Sequence, residues 1–165
     1  MVDRARENRR VVVLCVGNPH RGDDAAGRAV ARVLGASPAH VEIIEEEGEA
    51  TRVLARLDGA DAAYIVDACV SGAEPGDIRR VDVSTDPLPP AGFGASTHGF
   101  GLAEALELAR ALGALPSRCV VYAIEGGSFE MGAPMSPAVA AAVEIVAERL
   151  RGEVLCAELN GGAQN

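Results

Sequence analysis

Apolar and polar positions alternate along the chain in blocks that favour a layered α/β fold. The first block, residues 11–16, is an unbroken apolar run that stops at Gly17. A run of this kind predicts a strand buried on both faces, as in a parallel sheet. A helical pattern follows over residues 25–34 and ends at Gly35, a residue type favoured just past a helix C-terminus. This stretch therefore predicts a strand, a sharp turn and a helix.

The same alternation continues through most of the chain. Further strands are predicted at residues 41–44, 62–66, 78–83 and 119–124, and further helices at residues 51–57, 102–112 and 137–151. Alternating strands and helices predict a three-layer α/β/α sandwich with a mostly parallel sheet of about five strands. We expect one domain over residues 1–165, with a charged N-terminal tail at 1–10 and a loose C-terminal tail at 153–165.

Composition narrows the class of protein. The 165 residues carry a net charge of −9, which argues against a nucleic-acid or anionic-membrane surface because both need a basic face. No segment approaches the length of a membrane span, and the first apolar run is too short for a signal peptide. The four Cys residues contain no Cys-x-x-Cys pair, so neither structural zinc nor a disulfide framework is indicated. We expect a soluble, cytoplasmic protein.

Acidic residues and one histidine follow the predicted strands at a single edge of the sheet. Asp23 and Asp24 come after the first strand, Asp67 ends the third, and His98 closes a long Pro- and Gly-rich loop. In open α/β sheets ligands bind at the carboxyl ends of the strands. Carboxylates and an imidazole are ligands for a divalent metal with open positions, which supports hydrolytic chemistry. The sequence therefore predicts a metal site at this edge.

Each of these residues also has a simpler interpretation. Asp23 is suited to capping the following helix, and a lone histidine before a helix is more often structural than catalytic. The acidic run at residues 45–49 is most simply a solvated loop. For Cys69, two residues beyond Asp67, packing is the interpretation that we adopt. The joint placement of Asp24, Asp67 and His98, and not any one of them, carries the prediction.

Several other site types are excluded by missing residues. The chain has no Lys, so it can form neither a P-loop nor the site of a phosphoacceptor receiver domain, although a receiver also places an acidic pair after its first strand. No Gly-x-Gly-x-x-Gly follows the first strand, which excludes the usual dinucleotide site. The stretch at residues 126–130 ends in Glu instead of Gly and so fails as a nucleophile elbow.

Four blocks of residues together resemble the hydrogenase maturation endopeptidases, which process the large subunit of nickel–iron hydrogenases. Residues 17–27 are similar to the opening Gly-Asn-x-x-x-x-Asp-Asp/Glu-x-x-Gly signature of that family. Residues 66–76 resemble its second block, residues 96–102 its third, and residues 124–139 its closing loop and helix start. Because the blocks occur in the order of the family from about Val11 to Arg149, we treat the resemblance as specific.

The resemblance implies a twisted, mixed sheet flanked by helices and an endopeptidase that removes a C-terminal extension after nickel insertion. It implies metal contacts by Asp24, Asp67 and His98, with the nickel presented by the partner, the large-subunit precursor. Zinc or cadmium could then substitute in the isolated protein. One departure is the stretch Glu45-Glu46-Glu47-Gly48, where many members have Asp-Gly-Gly-Thr; Glu45 could replace that Asp.

These observations lead to metal-assisted amide hydrolysis as the hypothesis, with Asp23 as a carboxylate behind the metal ligands or as a base. One alternative is that the metal only docks the substrate while an acid such as Asp23 activates water. A second is a binding protein that checks the nickel site without cleaving, and a third is a small-molecule metallohydrolase. The sequence leaves these alternatives, the hydrogenase concerned and the oligomeric state open.

Overall fold

The apolar runs of the chain form one five-stranded sheet in the computed structural model, which describes residues 9–89 and 101–160. The strands are β1 (Val11–Val16), β2 (Val41–Glu46), β3 (Ala62–Cys69), β4 (Ile78–Asp82) and β5 (Arg118–Glu125). The helices are α1 (Ala26–Leu34), α2 (Ala50–Leu57), α3 (Leu102–Ala111) and α4 (Pro137–Asn160). Every predicted strand and helix is therefore present in the described part of the chain.

The strand order is β2-β1-β3-β5-β4, and only β4 runs antiparallel to its neighbour. β1, β3 and β5 are central and buried on both faces, as their continuous apolar runs predict. β4 is an edge strand, and its residues are half-buried or exposed. The expected mixed, mostly parallel sheet is confirmed, and the carboxyl ends of its four parallel strands share one edge.

Helices cover both faces of the sheet, which confirms the three-layer sandwich. On one face Val13 and Tyr64 pack with residues of α1 and α4. On the other face Leu14 and Ile65 pack with residues of α2 and α3. Since successive strand residues point to opposite faces, each central strand contributes to both apolar cores. No helix in the described residues is both long enough and apolar enough to cross a membrane.

The C-terminal helix is longer than predicted. α4 begins at Pro137, directly after Ser136 as expected, but it continues to Asn160 instead of ending near Arg151. The expectation of a loose tail from residue 153 is thus wrong for residues 153–160. Gly152 suggested a helix end, yet the helix continues because Leu150 and Val154, one turn apart, both pack into the same core.

β3 also extends further than its apolar run. The run ends at Val66, but the strand continues to Cys69, so Asp67 lies within the strand and not at its end as expected. The pairing of Asp67 with Ala123 and of Cys69 with Glu125 on β5 carries the strand forward. Of the polar side chains at this end of the sheet, Cys69 donates a hydrogen bond to Glu125 on the neighbouring strand.

Candidate active site at the carboxyl edge of the sheet

Two buried carboxylates lie at the carboxyl edge of the sheet. Asp67 is on β3, and its side chain points to the face covered by α2 and α3, since Ile65 and Cys69 of the same strand lie in that core. Asp24 lies in a 3₁₀ turn, Gly22–Ala25, that joins the loop after β1 to α1. Their exposed fractions are 4% and 5%, respectively. The structure thus brings together two of the three predicted metal ligands.

Glycines of the opening signature allow Asp24 to reach this position. Gly17 has a φ of +148°, and a Cβ there would lie 1.9 Å from the backbone oxygen of Asp24. A Cβ on Gly27 would lie 2.2 Å from the backbone oxygen of Val16 and 2.7 Å from that of Val66. The turn and the first turn of α1 therefore pack directly on the ends of β1 and β3. This close approach therefore requires glycine at both of these positions of the signature.

The environment of Asp67 disfavours its negative charge. Burial, and then the negative charge of Asp24, raises the pKa of Asp67 well above its ordinary value, against a smaller lowering by the hydrogen bond from the N–H of Ala68. The amide of Asn18 donates to Asp24 Oδ2 at 3.3 Å. Two buried carboxylates that repel each other form an environment that a cation would stabilise.

Asp23 makes a different set of contacts from those expected of a helix cap. No side-chain hydrogen bond caps the 3₁₀ turn or α1. Asp23 Oδ2 instead accepts hydrogen bonds from the amides of Gly127 and Ser128 at 2.8 and 3.0 Å. The amide of Ser136 donates to Oδ1 at 2.7 Å, and its hydroxyl donates to Oδ2 at 3.1 Å. The carboxylate therefore ties the loop after β5 to the loop after β1.

These contacts stabilise the charged form of Asp23. Burial acts to raise its pKa, but the hydrogen bonds from Ser136, Gly127 and Ser128 outweigh burial and leave the pKa below its ordinary value. The side chain is completely buried. A low pKa and four hydrogen bonds suit an anchor better than a group that collects a proton from water.

Glu125 is a second buried anchor, and its role was not predicted from the sequence. The amide of Ser71 donates to its Oε1 at 2.8 Å and the amide of Gly72 at 3.0 Å. The hydroxyl of Ser71 and the thiol of Cys69 donate to Oε2 at 2.7 and 3.2 Å. Burial raises the pKa of Glu125, but these hydrogen bonds outweigh it and leave the pKa low. Glu125 thus holds the turn that follows β3.

Cys69 is a packed thiol. Its side chain is buried, and burial followed by the hydrogen bond to Glu125 raises its pKa to about 12. The thiolate form is therefore disfavoured, which makes Cys69 a poor nucleophile and a poor metal ligand. The structure agrees with packing as the role of this residue.

The acidic run at residues 45–49 is only partly the solvated loop that was expected. Glu45 and Glu46 belong to β2, and Glu46 is buried while Glu45 is exposed. The guanidinium of Arg56 on α2 contacts Glu46 Oε1 at 2.8 Å. Glu46, and not Glu45, is therefore the buried acid at the carboxyl end of β2. Strand alternation could have indicated this, since Glu46 follows Ile44 by two residues.

A cavity of about 250 Å³ lies at the carboxyl edge of the sheet, where residues of β3, β4 and β5 and of the turn after β3 line it. Ala123 of β5 is in register with Asp67 on one side and with Arg79 of β4 on the other. Arg79 and Ala123 line the cavity, whereas Asp67 is not among its described lining residues. The cavity therefore neighbours the candidate site and is not formed by the carboxylate pair.

His98, the third predicted ligand, lies outside the described residues. Within residues 9–89 and 101–160, no group of three or more His, Cys, Asp or Glu side chains is arranged to hold a metal ion. The described site thus consists of Asp24 and Asp67, which are hard oxygen donors suited to a divalent cation that receives further ligands from elsewhere.

The chain is similar to known proteins over most of its length. A family model of hydrogenase maturation proteases (HycI) matches residues 35–153, a range that contains Asp67 and His98 and begins after Asp24. The Hydrogenase 3 maturation protease of Escherichia coli K12 is 32% identical over 155 residues, which cover 92% of each chain.

Solved structures show the same fold. The hydrogenase maturating endopeptidase HybD from Escherichia coli aligns with a TM-score of 0.75 at 28% identity, covering 93% of this chain and 94% of that one. A [NiFe] hydrogenase maturation protease, HycI from Thermococcus kodakarensis, aligns with a TM-score of 0.65 at 28% identity, covering 86% and 89%. The length of the family match and the identity to the curated relative show that this chain belongs to the hydrogenase maturation protease family.

Proposed function

We propose that this protein is the endopeptidase that removes the C-terminal extension of a nickel–iron hydrogenase large-subunit precursor after nickel has been inserted. Membership in the family supports the activity. The observation that carries the proposal is the pair of buried carboxylates, Asp24 and Asp67, on adjacent segments at the carboxyl edge of the sheet. In this proposal the nickel belongs to the substrate, since the similar protein from Thermococcus kodakarensis is a maturation protease for a [NiFe] hydrogenase.

In this proposal Asp24, Asp67 and His98 contact the metal that the precursor presents. The two carboxylates fit the role because they are buried, close to each other and mutually repelled, so that a cation between them would relieve the repulsion. A divalent ion held there would supply Lewis acidity to the scissile carbonyl and lower the pKa of a bound water. Zinc or cadmium would replace nickel at these residues in the isolated protein.

Asp23 acts in this proposal as a positioning residue for Asp24. Its carboxylate fixes the loop after β5 against the turn that carries Asp24, and its low pKa keeps it charged.

In the proposed hydrolysis the water oxygen adds to the carbonyl carbon, the C–N bond breaks, and a proton passes to the leaving amine. The cavity lined by residues of β3, β4 and β5 would give a peptide segment room at the same edge of the sheet.

A cleavage assay tests the proposal. The large-subunit precursor from the same organism is incubated, nickel-loaded or nickel-free, with the wild-type protein and with the variants His98→Ala and His40→Ala. His40 is a matched control, because its backbone oxygen accepts a hydrogen bond from Val11 at the opposite edge of the sheet. We expect intact-mass spectrometry to show loss of the extension only for nickel-loaded precursor, with wild type and His40→Ala but not with His98→Ala.

Three results would overturn the proposal. Binding of the precursor without cleavage would favour a protein that checks the nickel site. Turnover of short peptides without the folded precursor would favour a small-molecule metallohydrolase. Full activity of the His98→Ala variant would show that the predicted triad does not carry the reaction.

A further inference from the structure

Two exposed apolar side chains lie on loops at the same edge of the sheet as Asp24 and Asp67. Val70, 44% exposed, directly follows β3, and Met131, 69% exposed, lies in the loop that follows β5. β3 and β5 are neighbours in the sheet, and the amide of Gly126 donates to the backbone oxygen of Cys69 at 2.9 Å where the two loops begin. The two side chains therefore stand on adjoining loops around the candidate site.

The turn that carries Val70 is fixed by hydrogen bonds to a buried carboxylate. Glu125 accepts hydrogen bonds from the amides of Ser71 and Gly72 and from the hydroxyl of Ser71, all directly after Val70. Glu125 itself is 3% exposed. A buried carboxylate with this many donors fixes the backbone of the turn, so the side chain of Val70 is presented to solvent in a defined position.

The loop that carries Met131 is held in the same manner from the other side of the site. Asp23 accepts hydrogen bonds from Gly127, Ser128 and Ser136, before and after Met131. The amide of Gly132 donates to the backbone oxygen of His20 at 2.7 Å, which ties the next residue to the loop that leads to Asp24. Met131 thus lies in a loop that is tied to the loop leading to Asp24, and Val70 lies in the turn that follows the strand of Asp67.

Isolated apolar residues on a surface are common and by themselves need no explanation. These two differ because each belongs to a loop that a buried, multiply hydrogen-bonded carboxylate holds in place. The other large apolar side chains exposed in the described residues are Leu108, Leu112 and Ile145, which lie in or directly after helices. Rigid loops that present apolar groups reduce the ordering cost of binding a partner.

We propose that Val70 and Met131 are docking contacts for the folded surface of the large-subunit precursor around its C-terminal extension. The inference rests on the proposed function, because a folded protein whose chain enters the site between Asp24 and Asp67 must cover the two loops beside them. The precursor surface that fits is apolar, so that it buries both side chains away from water. Specificity for one hydrogenase would then depend partly on residues outside the reacting centre.

The test is the affinity of the nickel-loaded precursor for the double variant Val70→Ser/Met131→Ser. The matched control is Leu112→Ser, since Leu112 is 67% exposed and follows α3 at the opposite end of that helix from the candidate site. We expect the double variant to raise the Kd by about tenfold or more, measured by calorimetry, with the control unchanged. All three side chains are exposed, so the melting temperatures of the variants should match that of the wild type.

Kinetics separates docking from catalysis. The double variant should raise KM for the precursor and leave kcat within about twofold of the wild type, because neither side chain contacts the reacting atoms. Unchanged precursor affinity in the double variant, an equal loss in Leu112→Ser, or a fall in kcat alone would overturn the docking inference. Failure of the proposed function is distinguishable, because the wild-type protein would then bind the precursor without cleaving it, and the Kd comparison would still be measurable.

Discussion

Asp67 and Asp24 form a coupled pair in which one carboxylate destabilises the charge of the other. Burial is the larger cause of the raised pKa of Asp67, and the negative charge of Asp24 adds to it. The two residues come from segments far apart in the sequence and meet because β1 and β3 are adjacent and parallel. A pair of this kind is costly for the fold and therefore indicates a functional site.

The first prediction concerns cation binding. Calorimetry with nickel, zinc or cadmium should detect binding to the wild-type protein, and the variants Asp24→Ala, Asp67→Ala and His98→Ala should each lose it. The control is Glu74→Ala, an exposed acid in the loop between β3 and β4. Substitutions that leave the affinity unchanged would show that the three residues do not form one site.

The same measurement should depend on pH. A carboxyl group must lose its proton to bind a metal ion, so binding competes with protonation. Because the pKa of Asp67 is raised, affinity should fall as the pH is lowered, and the fall should begin at a higher pH than for an ordinary Asp. A cation affinity that stays constant down to about pH 4 would contradict a raised pKa for Asp67.

The second prediction is that Asp67→Asn stabilises the metal-free protein. A carboxyl with a raised folded-state pKa binds more protons folded than unfolded, so it lowers stability as the pH rises from its ordinary pKa of 3.8 to its folded-state value. Asn removes this cost and can still accept the hydrogen bond from Ala68. Thermal melts in chelator at about pH 7 should show a gain of about 1 kcal/mol.

The gain should shrink toward about pH 3, where both states of Asp67 are protonated. Asp77→Asn is the control, because Asp77 is an exposed acid near the same sheet edge and has no cost of burial to relieve. An Asp67→Asn variant less stable than the wild type at neutral pH would contradict the argument.

The order of strands and helices could be predicted because the physical signals are local. The unbroken apolar run of β1, rich in β-branched Val and stopped by Gly17, favours a doubly buried strand, and Gly35 marks the end of α1 with a positive φ. The ends of β3 and α4 could not be predicted, since tertiary contacts set them. Asp67 remains in the strand through its pairing with Ala123, and α4 passes Gly152 because Val154 packs into the core.

The candidate site was predictable only where topology alone brings residues together. Asp24 and Asp67 meet because parallel strands share an edge, which the order of elements already implies. The anchoring roles of Asp23 and Glu125 depend on hydrogen bonds to residues distant in sequence. No spacing in the sequence encodes these partners, so Asp23 resembled a helix cap and Glu125 an ordinary loop residue.

The third prediction is that Asp23→Asn destabilises the protein strongly. Asn places an NH₂ group where one carboxylate oxygen now accepts hydrogen bonds, so it faces the amide of Ser136 or those of Gly127 and Ser128. Leaving buried donors without an acceptor should cost about 3 kcal/mol in urea unfolding at about pH 7. The milder variant Ser136→Ala loses only the hydroxyl contact and should cost about 1 kcal/mol.

The pH dependence of this effect has a definite sign. Because the folded-state pKa of Asp23 is below its ordinary value of 3.8, its contribution is present above that pH and is lost as the pH falls through the folded-state value. The difference between wild type and Asp23→Asn should therefore decrease in acid. A constant difference from about pH 7 to pH 3 would mean that the charge of Asp23 does not stabilise the fold.

The fourth prediction concerns the packing of α1 on the sheet. In a Gly27→Ala variant the new Cβ would meet the backbone oxygens of Val16 and Val66 at 2.2 and 2.7 Å, and central strands cannot move aside cheaply. Gly152→Ala is the matched control, because no heavy atom lies within 4 Å of the added Cβ and the site is inside α4. Gly27→Ala should cost more than about 3 kcal/mol, whereas Gly152→Ala should add about 0.5–1 kcal/mol.

We expect Gly27→Ala to impair cation binding at the candidate site as well as stability. Gly27 contacts the carbonyl of Val66, next to Asp67, and lies in the first turn of the helix that follows Asp24. Any fraction that folds must therefore displace α1, and with it Asp24, away from Asp67. That fraction should lose cation binding in the calorimetric assay while Gly152→Ala retains it. A folded Gly27→Ala protein with wild-type stability and cation affinity would show that this close approach does not set the geometry of the site.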